Sequence, residues 1–384
     1  MPTKNVTTYA NVLKTPPLQI GPVPKPKKYN QTNVATPELI EVDALIGAAE
    51  ARSNFRVSGW GLTVAVLDTG LNTSHVGFSG RVLPGRNYTN DNGGDANDPT
   101  DGNGHGSNVA GIVCIDALLS DEQPFRGIAP GASVVPLKVL SNTGSGSFAY
   151  VQSALEWVET NAERYKITAC CLSLGDGDNY TSHNSPGDQI AAVIARLKQR
   201  NIAVVVAAGN DFFVHKSRQG MGYPAIIKDA ISVGAVFDSP NVTVPRKYIS
   251  GAIAYSVDSD QLTPFSQRLH PTTNPTFATD IFAPGAPVLS ASHTSNTALD
   301  EQDGTSQAAP VITGVVILMQ EYHLARTGRL PRVDDLVRWM RTGAVWVLDS
   351  DPDPANEIDN VDNTELEFPR VDVLGALAAM EAEL

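Results

Sequence analysis

The chain has 384 residues, 42% of them hydrophobic, which suffices for one large α/β core or two ordinary domains and is too apolar for a disordered chain. A formal charge of −13, with "KPKKY" at 25–29 as the only basic cluster, argues against a nucleic-acid or anionic-membrane surface. Three cysteines (Cys114, Cys170, Cys171) cannot form a disulfide framework and read as small core residues.

In chain order, residues 1–35 are polar and Pro-rich ("PPLQIGPVPKPKK") and read as an extended arm, linker or short pro-region; residues 36–384 read as one catalytic domain. The N-terminus has no apolar signal core, and no apolar run approaches the roughly 18 residues needed to span a bilayer. The expectation is a soluble monomer without an export signal in the chain as given, its compartment left open.

From residue 36 the pattern alternates. Apolar runs such as "LTVAVLDTG" (62–70), "ASVVPLKVL" (132–140), "ITACCLSLG" (167–175), "IAVVVAAGN" (202–210) and "AISVGAV" (230–236) are separated by helix-like segments such as "FAYVQSALEWVETNAE" (148–163) and "DQIAAVIARLKQRN" (188–201). This predicts an α/β fold with a doubly wound, mostly parallel central sheet and helices on both faces. In such sheets chemistry belongs at the carboxyl ends of the strands, where Asp68 and Asn210 stand. Residues 237–280 read as loops, and 348–380 as an acidic loop followed by a short apolar helix.

Hydrolysis of an amide at neutral pH needs a nucleophile, a base, an orienter for the base and donors for the oxyanion. His105, framed by small residues in "DGNGHGSNVAGIV", is the candidate base. Asp68, a carboxylate ending a buried strand, is the candidate orienter, with a turn cap as the equal alternative. Ser306, in "DGTSQAAPVITG" before a helix start at Ala308–Pro310, is the candidate nucleophile, although alone it reads better as a helix cap; Thr305 is a second candidate cap. Asn210 is the candidate oxyanion donor, although alone it reads as a turn residue.

Together "VAVLDTGLN", "HGSNVAGIV", "AAGN" and "DGTSQAAP", in that order, resemble the subtilisin-like serine proteases, or subtilases, over residues 37 to the C-terminus. The resemblance implies a three-layer subtilisin-like fold and a serine endopeptidase: Ser306 as nucleophile, His105 as general acid/base, Asp68 orienting His105, and Asn210 with the Ser306 amide as oxyanion donors. It also implies a peptide-binding groove. Gly144, Ser145, Gly146 and Phe148 would pair with or border the substrate on one side, and Ser173, Leu174 and Gly175 on the other. A roomy apolar P1 pocket would lie by Ala207, Ala208, Gly209 and Gly222, with Phe148 at P4 and Asp101 at P2. Asp211 beside the pocket mouth would favour some basic side chains.

The chain departs from the family in three places. Its segment "CIDALLSDEQPFRGIAPG" lacks the usual calcium-loop asparagines, Gln307 stands where Met is common, and 35 Pro-rich residues are too few for a compact folding-assisting prodomain. The chemistry requires no cofactor. Structural calcium is expected, if anywhere, at Asp349, Asp351 and Asp353, whose alternation is like the start of an EF-hand, or less so at "DNGGDANDPTD" (91–101). Three other readings stand beside the endopeptidase. A peptide ligase or macrocyclase would use the same acyl-enzyme, an inactive peptide-binding relative would have lost a catalytic residue, and an aspartic protease would need a second motif like "DTG".

Overall fold

The computed structural model describes residues 27–28, 38–118, 124–353 and 360–384. The Pro-rich arm lies outside these except for Lys27–Lys28, a short strand paired in parallel with Asp116–Leu118.

The core is a nine-stranded sheet in the order 345–348, 367–370, 281–286, 231–237, 203–207, 167–172, 63–68, 133–138, 86–87. All neighbours run parallel except the antiparallel pair 345–348 and 367–370. The central strands are buried almost end to end because both faces are covered. Val64 and Val66 pack into one layer while Ala65 and Leu67 pack into the other, as the two-residue period of a strand requires.

After two short helices, α1 (Glu38–Leu45) and α2 (Ala48–Phe55), helices α3 (His105–Cys114) and α6 (Thr305–Thr327) cover the first face; α4 (Phe148–Tyr165) and α5 (Gln189–Gln199) cover the second. In α4, Val151, Ala154, Leu155, Val158 and Ala162 repeat at helical spacing and form its buried stripe, and Ser147 caps it by accepting from the Ala149 amide. Asp188 caps α5 at the amides of Ile190 and Ala191. Helix α6 is buried continuously from Gln307 to His323. It is the one helix among the described residues with the length and composition to cross a bilayer, and here it runs through the protein core.

Strand 63–68 lies between 133–138 and 167–172, so the chain winds to one side of it and then to the other. Parallel pairing puts Asp68, Lys138 and Leu172 at one edge of the sheet, where the winding reverses and a crevice opens.

Two strands depart from the expected acidic tail. Val345–Leu348 and Glu367–Arg370 extend the sheet, and the apolar helix is Val373–Glu381. Both strands are only four residues long; Pro369 removes a backbone donor from the second, and the first, VWVL, is an apolar run directly after a helix.

Candidate active site

Strand period aims the first carboxylate. Val64, Val66 and Asp68 share a face, the face covered by α3, so Asp68 meets the first residue of that helix. His105 Nδ1 lies 2.8 Å from Asp68 Oδ1, which also accepts from the Thr69 amide at 2.6 Å. Gly106 allows this approach: a Cβ there would stand 2.3 Å from the Gly70 carbonyl oxygen. Burial acts to lower the His105 pKa, but the charge and hydrogen bond of Asp68, with Asp101 behind, outweigh it and hold the pKa above the ordinary 6.5. Beside the pair, the wholly buried Lys138 donates to the Thr69 carbonyl and to Asn142 Oδ1 and fixes the turn after Asp68.

Helix α6 begins at Thr305, three residues earlier than the Ala308 start expected from sequence, and Pro310 lies inside it. A proline at 310 cannot bond the carbonyl of Ser306 one turn back. The Ser173 hydroxyl takes that carbonyl at 2.7 Å, while Ser306 Oγ donates to the Ser173 carbonyl at 3.3 Å rather than to His105. The nucleophile candidate is thereby stitched to the strand end at 173.

Thr305 is not the cap it resembled. Its amide and hydroxyl both donate to Asn210 Oδ1 at 2.9 Å, and its Oγ1 accepts from the Gly209 amide at 3.1 Å. These bonds decide which way the Asn210 amide faces. A Cβ on Gly304 would lie 3.2 Å from Asn210 Nδ2 and 3.4 Å from the Ser306 nitrogen, so the two donors border one space that Gly304 keeps open. Two donors around one space at a helix N-terminus suit a developing oxyanion.

A cleft of about 640 Å³ opens beside His105, which lines it together with Thr69 and Asn103. Leu140, Gly144, Ser145, Gly146, Ser147, Phe148 and Val151 form one wall, and Ser173, Leu174, Gly175 and Asp176 the other. Ala207, Ala208, Gly209 and Gly222 lie behind the second wall; the Gly222 amide donates to the Ala208 carbonyl and joins their two segments. Asp211 sits against Gly177, and burial pushes its pKa up against the opposing pull of His215. Thr69, Asn103 and Lys138 escaped the sequence reading of the site because their side chains bond across long sequence separations, Thr69 to Asp101, Asn103 to the Asn142 carbonyl and Lys138 to the Thr69 carbonyl.

Two expectations are corrected. Asp101 is not a P2 contact: its carboxylate is buried and accepts from Thr69 Oγ1, the amides of Asn103, Gly104 and Ser107, and Ser107 Oγ. Burial works to raise its pKa, but the Gly104 amide, Ser107 and Asn103 hold it below the usual carboxylate value. It organises the start of α3.

Asp349 is not free to bind calcium. Its oxygens take Arg268 at 2.9 and 3.1 Å and the amide and hydroxyl of Thr364, inside the fold. Asp351 accepts from the Asp353 amide. Among the described residues no group of three His, Cys, Asp or Glu is arranged to hold a metal ion. Pro354 and part of the family's calcium-loop segment (119–123) lie outside the described residues.

The comparisons agree with this geometry. The model of the subtilase family matches residues 59–338. The major intracellular serine protease of Bacillus subtilis is 30% identical over 269 residues, covering 69% of this chain and 70% of its own length. Serine protease AprX of the same organism is 28% identical over 337 residues (81% and 69%), and an extracellular serine proteinase of a Thermus species 31% over 294 (76% and 58%). A crystal structure of a cold-adapted subtilisin-like serine proteinase superposes with a TM-score of 0.54 at 23% identity, covering 80% of this chain and 89% of the other, a likeness of fold. The chain belongs to the subtilase family of serine proteases.

Proposed function

We propose that the protein is a serine endopeptidase that cleaves peptide bonds through an acyl-enzyme on Ser306. The observation that carries this reading is the hydrogen-bonded Asp68–His105 pair, whose imidazole lines the same cleft as Ser173, the residue bonded in both directions to Ser306.

For attack, Ser306 Oγ turns from the Ser173 carbonyl to His105 Nε2. His105 takes its proton as Oγ bonds to the scissile carbonyl carbon, and the carbonyl electrons move onto oxygen. Asn210 Nδ2 and the Ser306 amide hold that oxyanion, and Asp68 stabilises the imidazolium and its orientation. The oxyanion then collapses and expels the amine, which receives the proton from His105. Water, deprotonated by His105, attacks the acyl ester in the mirror sequence and frees Ser306. Every group in these steps belongs to the chain or the substrate, so the chemistry requires no cofactor.

An extended peptide lies between 144–148 and 173–175 as an added strand, with Phe148 bordering P4. The P1 side chain turns toward Ala207, Ala208, Gly209 and Gly222, whose small size favours a large apolar residue.

A peptide library digested by the wild type and by Ser306→Ala, with products sequenced, tests this. New free termini from the wild type alone are expected. No cleavage by folded wild type contradicts the reading, and products that are only cyclised or transpeptidated replace it with a ligase.

A further inference from the structure

The serine and the imidazole stand at the starts of two different helices, α6 and α3, and the register of one helix against the other sets their approach. Most of that contact is apolar: Val109, Ala110, Ile112 and Val113 belong to the same core cluster as Ala308, Ala309, Val311 and Ile312. Apolar packing is non-directional and fixes a register loosely. Among the described residues a single side-chain hydrogen bond joins the two helices. Gln307 Nε2, next to the nucleophile, donates to Asn108 Oδ1, one turn beyond His105, at 3.3 Å.

Both amides are held from further out. Gln307 Nε2 also donates to Gln302 Oε1 at 3.2 Å, Asn108 Nδ2 donates to the Asp300 carbonyl at 2.8 Å, and Gln302 Nε2 donates to Asp300 Oδ2 at 3.0 Å. The network faces Gln307 Nε2 with two oxygens, so the amide cannot turn over. Its Oε1 is consequently left buried without a partner, 3.1 Å from where a Gly304 Cβ would lie. A buried amide with an unpaired oxygen is a poor way to fill a core position that an apolar chain of similar length would fill without cost. What the amide supplies that an apolar chain lacks is a directional link.

We propose that Gln307 is a positioning residue which, through Asn108, fixes α3 against α6 and so sets the approach of His105 to Ser306. The role deepens the serine-protease reading and rests on it. It acts on the chemical step and not on peptide binding, because the two amides bond to each other, to the Asp300 carbonyl and to Gln302, and to none of the residues of the cleft walls.

The test compares wild type, Gln307→Met, Asn108→Ala and the double variant on one peptide substrate. Thermal melts establish that each is folded. Each single variant is expected to lose about tenfold in kcat at unchanged KM, the loss reappearing in the rate at which a peptide phosphonate labels Ser306. The double variant is expected to lose no more than the worse single, since both remove the same link. Wild-type kcat in either folded single variant, a change in KM alone, or losses that multiply in the double would each overturn the proposal. If Gln307→Met fails to fold, Asn108→Ala reads the same bond from its other end. A wild type that neither cleaves nor is labelled refutes the protease reading itself, a result distinct from an active wild type matched by its variants.

Discussion

Asn210 and His105 make the sharpest claims at the scale of single residues. Thr305 fixes the Asn210 amide so that Nδ2 faces the space beside Gly304, where it would meet charge present only in the transition state. Asn210→Ala should therefore lower kcat by about 10²–10³ with little change in KM, the loss measured for the equivalent donor in subtilisin, a member of this family. An unchanged kcat would remove Asn210 from the mechanism. His105 must be neutral to accept the serine proton, and its pKa stands above 6.5 despite burial because of Asp68. Activity should thus rise with pH along a limb centred above 6.5. In Asp68→Asn that limb should move to lower pH while kcat falls by about 10⁴; a limb that stays in place would show that Asp68 does not set it.

These positions were legible because each ends an element or stands among glycines. Asp101 was misread for a physical reason: its closeness to His105 in sequence places it by the site but does not reveal that the amides of 103–107 close around its carboxylate. Asp349 was misread similarly. The alternation of aspartates at 349–353 is local, whereas the Arg268 that neutralises the first of them is 81 residues away.

Elements deliver these residues through close backbone approach. Helix α3 can begin against the turn 68–70 only because Gly106 has no side chain. A methyl there would press on the Gly70 carbonyl, so Gly106→Ala should cost about 1–3 kcal/mol of stability and separate His105 from Asp68. Denaturant unfolding together with kcat reads both effects. A variant of wild-type stability and activity would mean that the turn yields freely. At the start of α6, Pro310 frees the Ser306 carbonyl for Ser173, so a helix-breaking residue inside a helix ties the nucleophile to the cleft wall. The sequence announced a helix here. It did not announce its first residue, because Thr305 behaves as a helix residue bonded to Asn210 and not as a cap.

For the molecule as a whole, the parallel sheet was readable from continuous apolar runs, and the helices beside it from their buried stripes. The two strands at one end of the sheet were not read: Glu367–Arg370 is polar at both ends and contains Pro369, and Val345–Leu348 is a four-residue apolar run directly after a helix. Beyond them, Asp349 is fastened to the body by Arg268, a buried guanidinium that lies over Phe212, pairs with that carboxylate and donates to the carbonyls of Thr263 and Ser266. Burial lowers the Arg268 pKa against the pull of Asp349. Arg268→Ala would strand a buried carboxylate, and a loss of about 3–5 kcal/mol in denaturant unfolding is expected; a loss below about 1 kcal/mol would show this link to be dispensable.

The central claim is that Ser306 is a nucleophile activated by the Asp68–His105 pair. Its most direct measurement is the mass of the protein after treatment with a peptide phosphonate, followed by sequencing of the labelled fragment. One label per chain on Ser306, slowed severely in His105→Ala and absent in Ser306→Ala, is the predicted result. Folded wild type that takes no label, or takes it on another residue, would contradict the account.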